Sequence, residues 1–150
     1  MSDPFGLARF VAAQEGVLDR ARAELRAGAK RSHWMWFVFP QLRRLGRSEM
    51  AHRFGIASAE EARAYLAHPV LGPRLLDCKA LALASPAASA LALFGPPDDM
   101  KFRSCMTLFA RVRPGPSPFK EALARFFEGE PDPRTLALLD GAASPAGGRG

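Results

Sequence analysis

Four times before residue 141 a side chain able to cap a helix is followed at once by proline: Asp3-Pro4, Ser85-Pro86, Ser117-Pro118 and Asp132-Pro133. The pair marks helix starts, because the side-chain oxygen accepts a free first-turn amide while proline, having no N–H, fills the first helical position without losing a bond. Between these marks apolar residues return every three or four positions, as in Leu7, Phe10, Val11 and Leu18, in Leu71, Leu75 and Leu76, and in Phe102, Cys105, Met106 and Phe109. Only Trp34 to Phe39 offers anything like strand alternation. The pattern predicts an all-α fold, a single compact domain over residues 1–140 with about seven to nine short to medium helices, followed by a disordered tail at 141–150.

Other signals refine the boundaries. Gly16 is placed to split the first helical run, and Gly28 to end it in a left-handed conformation. Ser48 and Ser58 precede helices, the second in a Ser58-Ala59-Glu60-Glu61 capping box. His68, at a helix end, is expected to meet terminal carbonyls. After the turn Gly95-Pro96-Pro97, the stripe through Phe102, Met106 and Phe109 is expected to be buried and Arg111 exposed.

A chain of 150 residues with 48% apolar content can enclose one ordinary core. Its formal charge of +6 favours acidic partners, nucleic acid among them. Nearly all the cations are arginine, however, and the richness in alanine, glycine and proline is what a GC-rich coding sequence would yield. Cys78 and Cys105 form no framework of bridges, which suits a reducing cytoplasm. No apolar run is long enough for a membrane span, and the N-terminus lacks a secretory pattern.

The densest chemistry lies in residues 28 to 46, which hold both tryptophans between basic flanks. With Ser32 capping a helix that starts near it, free amides stand beside Lys30, Arg31 and His33, the parts of an anion site. Trp34 and Trp36 each offer a face on which a base or sugar can stack, and Gln41 adds a polar group. The same aromatics equally suit a core, with Lys30 and Arg31 as solvated neighbours. A second cluster, Asp98, Lys101, Ser104 and Thr107, falls on one side of a helix and could meet ribose hydroxyls and phosphate oxygens, or simply water.

Known chemistries find little purchase. His33, His52, His68, Cys78 and Cys105 are too scattered for zinc, so no metal is expected, and without a phosphate or dinucleotide glycine loop no cofactor is expected. Ser104, His33 and Asp98 supply the residue types of a hydrolase triad without its local motif. Both cysteines lie on apolar stripes and read as buried hydrophobes.

The run Lys30-Arg31-Ser32-His33-Trp34-Met35-Trp36-Phe37-Val38-Phe39-Pro40-Gln41-Leu42 resembles the signature of a bacterial family numbered 1810 among domains of unknown function. The resemblance continues through Leu45-Gly46 and Ser48, Tyr65-Leu66, His68-Pro69, Leu71-Gly72 and Arg74-Leu75, then Phe94-Gly95, Asp98, Lys101, Ser104 and Met106 to Phe109, spanning roughly residues 3 to 140. Phe54 stands where tyrosine is expected, and Cys105 where serine is common. The resemblance implies a small, mainly helical domain and carries no established activity. Some members carry the label calpastatin, which would require repeated inhibitory segments, and this sequence shows no repeat.

Two functions of different classes fit these residues. One is an enzyme or sensor that binds a phosphorylated, nucleotide-like metabolite. Lys30, Arg31 and His33 would hold anionic groups, Trp34 or Trp36 would stack, and Asp98 with Lys101 would move a proton at a glycosidic bond. The other is a non-catalytic module that binds nucleic acid or protein through Arg43, Arg44, Arg47 and Arg53.

Overall fold

Serine side chains cap four of the helix starts among the described residues. In the computed structural model, Ser48 Oγ accepts from the Ala51 amide (3.0 Å), Ser58 Oγ from Glu61 (3.1 Å), Ser89 Oγ from Ala92 (3.0 Å) and Ser117 Oγ from Phe119 (3.0 Å). The structure describes residues 3–113, 115 and 117–143. Among these run α1 (Ala8–Glu15), α2 (Leu18–Ala27), α3 (Met35–Val38), α4 (Glu49–Phe54), α5 (Ala59–Ala67), α6 (Leu71–Ala84), α7 (Ala90–Phe94), α8 (Asp98–Val112), α9 (Pro118–Phe127) and α10 (Pro133–Ala143), with a 3-10 turn at Arg43–Leu45. The fold is all-α, as the periodicity predicts. Its one β-type feature among the described residues is an isolated parallel bridge between Leu42 and Ile56.

Several boundaries differ from the sequence reading, each through a group within a few residues of the helix end. Asp3 caps at a remove: Gly6 turns the chain at φ +64°, α1 begins at Ala8, and the Asp3 carboxylate accepts from the amides of Leu7 (2.8 Å) and Ala8 (3.0 Å). Ser85 closes α6 rather than opening a helix, and Ser89 caps α7 instead. His68 Nδ1 accepts from the amides of Val70 (3.1 Å) and Leu71 (3.2 Å) at the start of α6, the opposite polarity to carbonyl capping. In the capping box, Glu61 reaches past Ser58 to the Ala57 amide (2.9 Å). The expected tail from 141 is helical through Ala143, and the rest of it lies outside the described residues.

Helix α8 forms the centre, packed by α5, α7, α9 and α10. Phe102, Met106 and Phe109 are fully buried and Arg111 is exposed, as the stripe predicts. Ring edges meet ring faces around it: Phe39 approaches Phe102 at 5.0 Å between centroids, and Tyr65 approaches Phe10 at 5.2 Å. Gly28 ends α2 at φ +82°, a left-handed conformation that releases the chain toward α3.

Much of the positive charge is spent on joining segments. Arg9 donates to the carbonyls of Phe5, Gly6, Arg53 and Gly55 and to the buried Glu61 carboxylate (2.9 Å). Arg103 holds the carbonyls of Glu130 and Pro131, and Arg125 those of Leu83, Ser85 and Ala87 at and beyond the end of α6. A guanidinium has five N–H donors in a rigid fork, which suits it to tying several carbonyls at once.

Candidate functional site

The segment after Gly28 is built around a carboxylate that the local sequence gives no reason to notice. Glu24, on the last turns of α2, accepts from the amides of Arg31 (2.8 Å) and Ser32 (3.1 Å), from Ser32 Oγ (2.7 Å) and from the Trp34 indole N–H (2.9 Å). Burial pushes the Glu24 carboxyl up, but the Arg31 amide, the Ser32 hydroxyl, the indole and the Ser32 amide outweigh it and hold the value down at about 2. The anion-binding amides expected at Ser32 therefore exist, and the protein's own carboxylate fills them. Ser32 caps no helix: α3 starts only at Met35 and has no side-chain cap.

Pinning this loop fixes what lies on its far side. Lys30 is tied by its amide to the Leu93 carbonyl (2.7 Å), and its ammonium reaches the Ser32 carbonyl (2.7 Å) and Asp98 Oδ2 (2.8 Å). Asp98 sits in the first turn of α8, and its other oxygen lies 3.5 Å from the Lys101 ammonium. Lys101 Nζ stands 3.9 Å from the Trp36 ring centroid, a cation over an aromatic face. Lys30, His33, Trp34, Met35, Trp36, Asp98 and Lys101 line one cavity of about 100 Å³. The two clusters separated by some seventy residues of chain thus meet at their leading members.

The remaining candidates lie elsewhere. Trp34 is 1% exposed with its N–H held by Glu24, so it meets the cavity as a buried wall with the Lys30 ammonium 5.1 Å from its ring centroid, whereas Trp36 is half-buried. Arg31 is exposed at the edge and contributes its amide to Glu24. Gln41 is buried beside the Leu42–Ile56 bridge, its carbonyl accepting the Ile56 amide (2.9 Å). Ser104 donates to Asp132 (2.9 Å) and to the Met100 carbonyl (3.1 Å). Thr107 accepts the Asp132 amide (2.8 Å) and donates to the Arg103 carbonyl (2.8 Å). Asp132 caps α10 through the amide and hydroxyl of Thr135. Ser104 and Thr107 are thus committed to seating α10, and no triad forms with His33 and Asp98. The thiols of Cys78 and Cys105 are buried, and burial pushes Cys78 up to about 11 and raises Cys105 as well, so neither is a ready nucleophile.

The fold and cleft define a small helical domain in which two lysines share one carboxylate on the wall of a narrow, aromatic-edged cavity. Residues 4–139 match the family described as protein of unknown function DUF1810, and the chain belongs to that family. It is similar to the conserved hypothetical protein Rv1873 from Mycobacterium tuberculosis, whose crystal structure shares 54% sequence identity over 92% of this chain and 99% of that one, with a TM-score of 0.89. No curated protein matches the chain. No helix among the described residues is long and apolar enough to cross a membrane.

Proposed function

We propose that the chain binds a phosphorylated, nucleotide-like metabolite at the Lys30–Lys101 cleft, in a cytoplasmic setting. The observation that carries this reading is the convergence of Lys30, His33 and Lys101 on one cavity, where the two ammonium groups face the single carboxylate of Asp98 and leave positive charge in excess. Buried Lys30 is held in place by Asp98 and the Ser32 carbonyl and acts as fixed wall, while Lys101 and the exposed His33 remain for the phosphate. The cavity admits a phosphate with part of a sugar and leaves a base at the rim beside Trp36. Because Asp98 is engaged by both ammonium groups, the arrangement favours binding over proton transfer.

A thermal-shift screen of the full chain against nucleotides, ADP-ribose and sugar phosphates tests this. A ligand at a hundred times its Kd stabilises by about 2.7 kcal/mol. A silent screen, or a shift that persists unchanged in Lys101→Gln, overturns it. The alternative, nucleic-acid or protein binding through arginines, draws on exposed Arg44, Arg47 and Arg53. It loses Arg43, which is half-buried with its Nε enclosed and unpartnered among the described residues. Steep salt dependence of binding would favour that alternative.

A further inference from the structure

Sharing no lining residue with the Lys30–Lys101 cleft, a second and more enclosed cavity of about 250 Å³ is lined by the Leu42–Ile56 bridge, by α10 and by the start of α5. The bridge is drawn tight by the Arg43 amide on the Ile56 carbonyl (2.8 Å) and by Gly55, where a Cβ would come within 2.3 Å of Arg43 Cα. Leu42 and Ile56 below, with Leu138 and Leu139 of α10 opposite, make its body apolar.

Its rim has a different chemistry. Arg44 and Arg63 both line the cavity and are exposed, and neither has an ion-pair or hydrogen-bond partner for its guanidinium among the described residues. Arg9, Arg22, Arg74, Arg103, Arg111 and Arg125, by contrast, are all engaged. Glu60 shares the rim, so two cations stand against one carboxylate. Ala59, also in the lining, opens α5, and its amide has no intrahelical acceptor.

We infer that this cavity is a second ligand site, for a small amphiphilic acid. The apolar body of the ligand lies on Leu42, Ile56, Leu138 and Leu139, and its carboxylate or phosphate head lies between Arg44 and Arg63. Guanidinium forks pair with either head in a bidentate manner, and the apolar floor supplies the burial that a free inorganic anion would not use. A volume below the roughly 300–1,000 Å³ of drug-sized sites limits the body to a short acyl chain or a single ring.

Titration of the isotope-labelled full chain with octanoate, followed by amide NMR and calorimetry, tests the site, with octyl phosphate and octanol as further arms. The expected result is that octanoate or octyl phosphate shifts the amides of Ala59, Glu60 and Leu139, the tighter of the two identifying the head group, while octanol binds more weakly than either. Joint replacement Arg44→Gln and Arg63→Gln is expected to weaken binding about tenfold, whereas the exposed, non-lining Arg47→Gln leaves it unchanged. Ala59→Trp is expected to abolish binding by filling the mouth. The site is refuted if those amides do not move, if octanol binds as well as the acids, or if the double replacement binds like the parent chain.

Discussion

Along α8, Asp98 and Lys101 in the first turn border an open cavity, whereas Ser104 and Thr107, one and two turns later, are closed over by Asp132 and Thr135. All four fall on one polar side of one helix, and the sequence treats them as a single surface. What separates them is the neighbour: the near end faces a loop pinned open by Glu24, and the far end faces the start of α10. Where another helix must be seated, polar side chains become its cap, and where a loop stands off, they line a cavity.

This division can be broken most decisively at its far end. Asp132→Ala removes the α10 cap and strands the hydroxyls of Ser104 and Thr135 in the interior, so urea unfolding is expected to show a loss of roughly 2–4 kcal/mol. Ligand affinity at the Lys101 cleft should be untouched. Equal damage to binding would show that the two ends act as one unit.

The next largest effect concerns the loop that holds the cleft open. Glu24 titrates near 2 in the folded chain against an ordinary value of 4.5, so its contribution is complete above about pH 4.5 and is lost as the pH falls toward 2. Allowing for its partial solvent access, this amounts to about 1–3 kcal/mol. Acid unfolding of Glu24→Gln, compared with the parent chain, should lack that component. Identical curves would remove Glu24 from its place as the loop's anchor.

Lys101→Gln should do least to the fold, within about half a kilocalorie by thermal melting, since the side chain sits at a cavity edge. In calorimetry it should cost about tenfold in affinity for a sugar phosphate that the screen identifies. A large stability loss would place Lys101 with Ser104 and Thr107, as structure.

The sequence reveals those features whose cause lies within a few residues. Ser48, Ser58 and Ser117 cap where they are expected to, Gly28 turns left-handed, and the Phe102–Phe109 stripe is buried, because each depends on local amides or on helical spacing. Ser32 misleads because its amide and hydroxyl are taken by Glu24, from the preceding helix. The excess of polar and aromatic residues around it is a real signal, but it marks an internal anion site already filled. Trp34 and Trp36 look alike in the sequence and both reach the cleft, but one is buried with its N–H bonded to Glu24 and the other is only half-buried. The tie between Lys30 and Asp98 spans the whole middle of the chain, and no spacing rule reaches so far.

The arginine clamps also bear on how such a sequence can drift. A shift in genomic base composition trades arginine codons for lysine codons, and at exposed, unengaged positions such as Arg20, Arg26 and Arg47 the exchange keeps the charge and disturbs no bond among the described residues. At Arg9, Arg103 and Arg125 it does not, since one ammonium cannot reproduce the guanidinium fork's fixed reach to several carbonyls at once. Mutational pressure toward AT-rich codons would therefore meet mechanical resistance at these three positions while passing freely through the others, although all six count the same in the net charge.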